Sequence, residues 1–104
     1  MKLIYIPCSD KKSAEQIART LLEEKRIGCA QILPEISSFY WWEGRLEKSS
    51  ECLLLLKTSL PPDQHRELVA RVSELHPYDV PCIMTLPIEG INEPYQKWLE
   101  DSLK

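Results

Sequence analysis

Two short segments of the sequence combine side chains that could bind a metal ion or a planar ligand. The first is His76-Pro77-Tyr78-Asp79-Val80-Pro81, and the second is Tyr40-Trp41-Trp42-Glu43-Gly44. The chain has only 2 histidines, 3 tryptophans and 4 tyrosines. Their concentration beside rigid prolines predicts a binding site or an interface.

The first segment suggests soft-metal chemistry. An imidazole with thiolates, His76 with Cys82 or Cys8, would suit copper(I) or zinc rather than magnesium or calcium. The alternative is that His76 ends a helix and that its ring hydrogen-bonds a carbonyl. The other histidine, His65, is expected to be a solvated surface residue.

Aromatic residues and one lysine could form a cleft between subunits, with aromatic walls and an ammonium that would suit a small anionic or planar ligand. The candidate residues are Tyr40, Trp42, Lys57, Tyr78, Tyr95 and Trp98. The alternative is that they pack at an interface, where tyrosine and tryptophan are enriched. The two roles are compatible.

Composition narrows the range of partners. The 104 residues, taken as a single domain over 1–104, carry 13 Lys plus Arg against 16 Asp plus Glu, a net charge of −3. Nucleic acid and anionic membranes require a concentrated positive surface, so neither is expected as a partner. No apolar run approaches the roughly 20 residues that span a bilayer. We therefore expect a cytoplasmic protein whose four cysteines are buried thiols. The alternative is that the even number of cysteines forms two disulfides.

Enzyme motifs are missing from the sequence. It has no Gly-rich phosphate loop, no nucleophile elbow and no paired-histidine metalloprotease motif. The sole asparagine, Asn92, is expected to cap a helix. We expect neither an enzyme nor an organic cofactor.

The order of the predicted elements positions these residues. Apolar periodicity, prolines and glycines predict strand 2–6, a helix, a hairpin over 29–58 that turns at Glu43-Gly44, a helix from Pro61 to Pro77, strand 82–88 and a terminal helix. The first helix is expected to start at Ser9, Asp10 and Ser13, which can cap it. Gly28 is expected to close it, because glycine adopts a left-handed backbone most readily. Pro34 predicts a bulge or an edge position in the hairpin. This order is the α+β, ferredoxin-like βαββαβ pattern with a C-terminal helix.

Two features predict self-association. Two helices cover only one face of the sheet, although strand 2–6 and Cys52–Leu56 present apolar side chains to both faces. Each hairpin arm, on the order of 43 Å long at strand rise, must overhang helices of roughly 21 Å. An aromatic-tipped ribbon would aggregate unless a partner received it. The alternative is a monomer whose terminal helix covers the sheet.

Over nearly its full length the sequence resembles the CutA family of divalent-cation tolerance proteins. The resemblance rests on the order and spacing of five motifs: Ala14-x-x-Ile17-Ala18 with Cys29-Ala30, Ser38-x-Tyr40-x-Trp42-Glu43-Gly44, Glu51 with Lys57-Thr58, His76-Pro77-Tyr78-x-Val80-Pro81, and Tyr95-x-x-Trp98.

The resemblance implies a homotrimer, similar in architecture to the PII signalling proteins, and a role in tolerance to copper and other divalent metals. Of the ligands associated with copper binding in the family, the histidine corresponds to His76. Ile6 stands in place of the strand-one cysteine, and Cys8 lies two residues on. The function expected is a metal-responsive trimeric binding protein. The alternative is a PII-like signalling or scaffold module that binds a small ligand or a partner protein between subunits.

Overall fold

A computed structural model describes residues 1–104 as one antiparallel sheet with three helices. The elements are β1 (Lys2–Cys8), α1 (Lys11–Glu23), β2 (Cys29–Trp42), β3 (Arg45–Thr58), α2 (Pro62–Leu75), β4 (Met84–Pro87) and α3 (Glu93–Ser102). The strands lie in the order β2-β3-β1-β4, which confirms the predicted ferredoxin-like arrangement. No helix is both long and apolar enough to cross a membrane.

The core lies between the helices and one face of the sheet. Cross-strand partners share a face of a sheet, and Ile4 pairs with Leu56, Ile6 with Leu54 and Cys8 with Cys52. All six residues are at most 1% exposed. The helices contribute the buried side chains of Ala14, Ile17, Ala18, Leu21, Leu68 and Val72. The alternating apolar residues of β1 and β3 thus meet the inner faces of α1 and α2.

The start of α1 is as predicted, but its end is not. Asp10 caps the helix, because its carboxylate accepts a hydrogen bond from the Ser13 amide at 2.7 Å. The helix ends at Glu23, and the residue in the left-handed region is Lys25, with φ at 59°. The prediction that Gly28 supplies a left-handed backbone was therefore wrong.

Gly28 has a packing role instead. A Cβ atom at this position would lie 2.5 Å from Leu99 Cδ1, and Leu99 is completely buried. The missing side chain therefore lets α3 pack against the segment before β2, where the Gly28 amide donates to the Lys57 carbonyl at 3.0 Å.

The long hairpin is confirmed. Its two strands have 14 residues each, and the turn places Glu43 and Gly44 in the left-handed region, with φ at 50° and 78°. The register shifts between Leu33 and Ile36, which is the bulge that Pro34 predicted. The molecule measures 45 Å along its longest axis but only 25 Å and 23 Å across, so the hairpin extends well beyond the helices.

Two strands, β4 and β1, differ in length from the prediction. β4 covers only Met84–Pro87, so Cys82 and Ile83 precede it, whereas β1 continues through Pro7 to Cys8. β4 pairs with β1 only from Lys2 to Tyr5. The carbonyl of Pro7 points to the side where β4 is absent. Because the nitrogen and the carbonyl of one residue point to the same side of a strand, the missing amide of Pro7 interrupts no ladder bond.

The second face of the sheet, which we call the open face, carries apolar rows without a helix layer like that on the core face. Leu86, Leu3 and Lys57 form one row, Met84, Tyr5 and Leu55 the next, and Pro7, Leu53 and Leu33 the third. Leu33, Met84 and Leu86 are 43%, 47% and 41% exposed. Among the helices, only α3 approaches this face, at its Lys57 end, where the Lys57 ammonium lies 3.3 Å from the Tyr95 hydroxyl.

Candidate functional site

His76 lies at the junction between α2 and the open edge of β1. It is the C-cap residue of α2 and is 5% exposed. Its Nε2 atom is 2.9 Å from the Pro7 carbonyl, and its Nδ1 atom is 3.1 Å from the Tyr78 amide. An amide can only donate, so Nδ1 accepts and Nε2 carries the proton that is donated to Pro7. Both ring nitrogens are therefore engaged by the protein itself.

The bend after His76 brings Tyr78 to Glu51. The Tyr78 hydroxyl donates to Glu51 Oε2 at 2.7 Å, and Glu51 is 8% exposed. Burial raises the pKa of the Tyr78 phenol above its usual value, and the hydrogen bond to Glu51 raises it further. The phenol therefore stays protonated as a donor throughout the neutral range. It satisfies a carboxylate that the sheet would otherwise bury without a partner.

Glu51 and Tyr78 belong to a pocket of about 600 Å³. The pocket lies where the hairpin leaves the body of the sheet, between the hairpin and the loop after α2. Its lining consists of Pro7, Ser38, Phe39, Tyr40, Trp42, Glu51, Pro77, Tyr78, Asp79, Val80 and Cys82. The two segments that the sequence singled out thus face one another across an aromatic pocket with a carboxylate in its wall.

The six predicted cleft residues fall into two groups within one chain. Tyr40, Trp42 and Tyr78 line the pocket. Lys57, Tyr95 and Trp98 form the second group: the Lys57 ammonium lies 5.0 Å from the centre of the Tyr95 ring, and the Tyr95 and Trp98 rings are 5.5 Å apart. Glu51 and Lys57 both lie on β3, six residues apart, which corresponds to roughly 20 Å at strand rise. One chain alone does not bring the two groups together.

The predicted metal ligands do not converge within the chain. Cys8 faces the core and is completely buried, whereas Cys82 is exposed and lines the pocket. Pro7, whose side chain also lines the pocket, alternates with Cys8 along β1, so the two thiols lie on opposite sides of the sheet. No group of three or more His, Cys, Asp or Glu side chains is arranged to hold a metal ion. His76, Cys82 and Cys8 therefore do not form one site in this arrangement.

All four cysteines are free thiols, but only Cys8 and Cys52 are buried. Burial raises the pKa of the Cys8 thiol from 9.0 to about 12, and nearby Cys52, Glu51 and Asp10 add to this effect. The pKa of Cys52 is also raised, chiefly by burial. In the absence of a metal ion, both side chains are thus protonated at neutral pH.

His65 is not the solvated surface residue that was expected, and two side-chain contacts were not predicted. His65 is half-buried: Nε2 is 2.9 Å from the Thr85 hydroxyl, and Nδ1 is buried without a hydrogen-bond partner. The hydrogen bond from Tyr78 to Glu51 was not predicted, and Cys52 was not paired with Cys8. The signal for both lay in the register of β1 against β3, which local patterns do not determine.

Comparison with known proteins identifies the family to which the chain is similar. A family model described as "CutA1 divalent ion tolerance protein" matches residues 2–102. The divalent-cation tolerance protein CutA of Pyrococcus horikoshii is 44% identical over 104 residues, with 100% of this chain and 99% of the relative covered. The crystal structure of CutA1 from the same organism superimposes with a TM-score of 0.91 at 43% identity, covering 100% and 99% of the two chains.

Other relatives differ in length and in their descriptions. The structure described as the periplasmic divalent cation tolerance protein CutA from Archaeoglobus fulgidus has a TM-score of 0.91 at 34% identity, with both chains covered completely. The CutA homologue of Xenopus laevis is 40% identical over 97 residues, or 93% of this chain. The chain spans 63% of that relative's length.

Proposed function

The chain belongs to the CutA1 family of divalent ion tolerance proteins, and we propose that it acts as a homotrimeric binding protein in the response to metal ions. The proposed role is binding rather than catalysis. The comparisons name tolerance proteins and do not favour the signalling or scaffold alternative. The number of subunits comes from the resemblance, and the need for association comes from the surface of the chain.

The observation that carries the proposal is the apolar open face together with the projecting hairpin. Leu33, Met84 and Leu86 on the open face are each more than 40% exposed, and Phe39 and Trp41 at the hairpin end are 66% and 73% exposed. A soluble chain rarely leaves so much contiguous apolar surface in water. Other copies of the chain that cover the open face and contact each hairpin would remove this apolar surface from water.

The two separated groups of cleft residues support the same assembly. The pocket group of Tyr40, Trp42 and Tyr78 carries the carboxylate of Glu51, and the second group carries the ammonium of Lys57. In one chain the two groups lie at opposite ends of β3. We propose that the second group of one subunit meets the pocket of a neighbour, so that the complete cleft exists only between subunits.

The oligomeric state tests this proposal directly. Light scattering at micromolar concentration should give about three times the mass of the chain. Leu86→Glu, on the open face, should dissociate the assembly because it would bury a charge. Leu22→Glu is the matched control, since Leu22 on α1 is 40% exposed and Leu86 is 41% exposed. A native monomer, or equal effects of the two variants, would contradict the proposal.

The proposed ligand is copper or another divalent metal ion. Contact with the metal is proposed through His76, Cys82 and Cys8. Because Cys8 and Cys82 lie on opposite sides of the sheet, Cys8 would bind the metal at a separate site from the other two residues. Calorimetric titration with copper(I), copper(II) and zinc tests the proposal, and stoichiometric binding of any of them supports it. Loss of affinity in His76→Ala or Cys82→Ala identifies the substituted residue as a ligand. A native trimer that binds none of the three ions rules the metal role out.

We place the protein in the cytoplasm, and the state of the cysteines supports this. The four cysteines are expected to be thiols, and a reducing compartment such as the cytoplasm maintains that state. Cell fractionation tests the placement. Recovery of the protein with a periplasmic marker would contradict it and would agree with the description of the Archaeoglobus relative.

A further inference from the structure

We infer that Cys8 and Cys52 form a two-thiolate binding site for copper(I). The two residues are direct Cα partners at the end of the β1·β3 ladder. Directly opposed residues of antiparallel strands have Cα atoms about 4.5–5.5 Å apart. Both side chains point to the core face, where they are 0% and 1% exposed. The Cys8 thiol donates to the Ile6 carbonyl at 3.7 Å, and the Cys52 thiol donates to the Asp10 carbonyl at 3.2 Å. They are thus a preformed pair and not two isolated cysteines.

The number of ligands selects the metal ion. No third His, Cys, Asp or Glu side chain joins the pair in a metal-binding arrangement. Structural zinc requires four ligands, and calcium and magnesium prefer oxygen. Copper(I) is soft, prefers thiolates and is satisfied by two of them in a linear arrangement. A buried pair of thiols with no further ligand fits copper(I) better than any divalent ion.

The binding reaction balances in atoms and in charge. One Cu⁺ ion displaces one proton from each thiol, so that two S–H bonds are replaced by two S–Cu bonds and two protons go to solvent, with no change of oxidation state. The product carries a single negative charge. The Cys52 thiol lies 3.2 Å from the carbonyl of Asp10, the N-cap of α1. The thiol donates a hydrogen bond to this carbonyl, and that bond is given up when copper(I) displaces the proton.

The position of the pair also gives a route for the ion. Cys8 is the last residue of β1, and the two residues that follow it, Ser9 and Asp10, form an exposed bend before α1. Displacing this bend opens the end of the sheet without separating β1 from β3. A copper(I) donor can therefore reach the sulfurs from the end of the sheet that is opposite to Lys57.

The inference rests on the proposed function only for the choice of a metal as ligand. Copper(I) is titrated anaerobically, against a competing copper(I) chelator, into the native protein and into Cys8→Ala, Cys52→Ala, Cys82→Ala and the control Cys29→Ala. Cys29 is a partly buried thiol that lies on the open face, paired with Lys57. X-ray absorption spectroscopy of the native copper complex counts the sulfur ligands.

The expected result is one copper(I) ion per chain, bound by two sulfur atoms. Binding should be lost in Cys8→Ala and Cys52→Ala and kept in Cys29→Ala and Cys82→Ala. Binding that survives the first two substitutions overturns the inference and leaves the proposed function intact. A native protein that binds copper(II) or zinc but not copper(I) also overturns the inference and leaves the proposed function intact. A native protein that binds none of the three ions overturns the inference and the proposed metal role together. If the alanine variants do not fold, X-ray absorption spectroscopy of the native copper complex still tests the inference. A third sulfur ligand or any nitrogen ligand would overturn it.

Discussion

His76 Nε2 donates a hydrogen bond to the carbonyl of Pro7 across 2.9 Å, and in doing so it continues the edge of the sheet where β4 is absent. β4 pairs with β1 only as far as Tyr5. Beyond that point the ring of His76 satisfies the carbonyl that a longer strand would have bonded. The same ring accepts the Tyr78 amide, so one side chain fixes the end of β1 and the start of the pocket loop.

We predict that His76→Ala lowers the free energy of unfolding by about 1–3 kcal/mol, because it leaves the Pro7 carbonyl and the Tyr78 amide without their partner. Denaturant unfolding measures the loss. His65→Ala is the comparison, since it removes the other histidine, whose hydrogen bond to Thr85 is exposed. A smaller loss for His76→Ala than for His65→Ala would contradict this role.

Gly28 and Leu99 lead to a second prediction. Gly28→Ala would place a Cβ atom 2.5 Å from Leu99 Cδ1 and 3.2 Å from its Cγ, and Leu99 is completely buried. We expect a loss of about 1–3 kcal/mol and faster proteolysis of α3. Gly90→Ala is the matched control because nothing lies within 4 Å of its added methyl group. Equal stability of the two variants would show that α3 adapts freely.

Local sequence patterns predicted much of the fold but not the contact between Gly28 and Leu99. Element order, the hairpin turn at Glu43-Gly44 and the bulge at Pro34 depend on local chemistry, and the structure confirms them. Gly28 was misjudged because a glycine after a helix usually adopts a left-handed backbone. Here its role depends on Leu99, which is 71 residues away along the chain. No local pattern contains that contact.

The candidate site was predictable to a similar extent. The two motif segments were identified, and the pocket brings them together through Tyr40, Trp42 and Tyr78. The acceptor for Tyr78 and the partner of Cys8 both depend on the register of β1 and β3, and a slip of one residue would turn each side chain to the other face. The contents of the pocket were therefore predictable, but its polar contacts were not.

His65 should make stability depend on pH. Burial lowers the pKa of this imidazole below 6.5, and the charge of Lys2 lowers it further. The unfolded chain therefore binds the proton more readily, so the contribution of His65 is complete above pH 6.5 or so and is lost as the pH falls through the folded-state pKa. We predict that acidification from about pH 7 to pH 5 destabilises the native protein more than His65→Gln.

Thr85→Val is the control for this titration, because it removes the hydrogen-bond partner of His65 and retains the ring. Its stability should fall with pH as in the native protein. Parallel pH profiles for the native protein and His65→Gln, measured by denaturant unfolding at each pH, would show that the half-buried ring does not contribute to the acid sensitivity.

Tyr78 and Glu51 provide the most direct test of how the pocket is built. Tyr78→Phe removes the donor at 2.7 Å from a carboxylate that is only 8% exposed, so we expect it to cost about 1–3 kcal/mol. In a double-mutant cycle with Glu51→Gln, the coupling energy should be at least about 0.5 kcal/mol. Tyr40→Phe, which removes an exposed hydroxyl that bonds Ser49, should cost less than Tyr78→Phe. Additive effects of Tyr78→Phe and Glu51→Gln would mean that water in the pocket hydrogen-bonds the carboxylate as well as the phenol does. Glu51 could then bind a cationic ligand without first losing a hydrogen-bond partner.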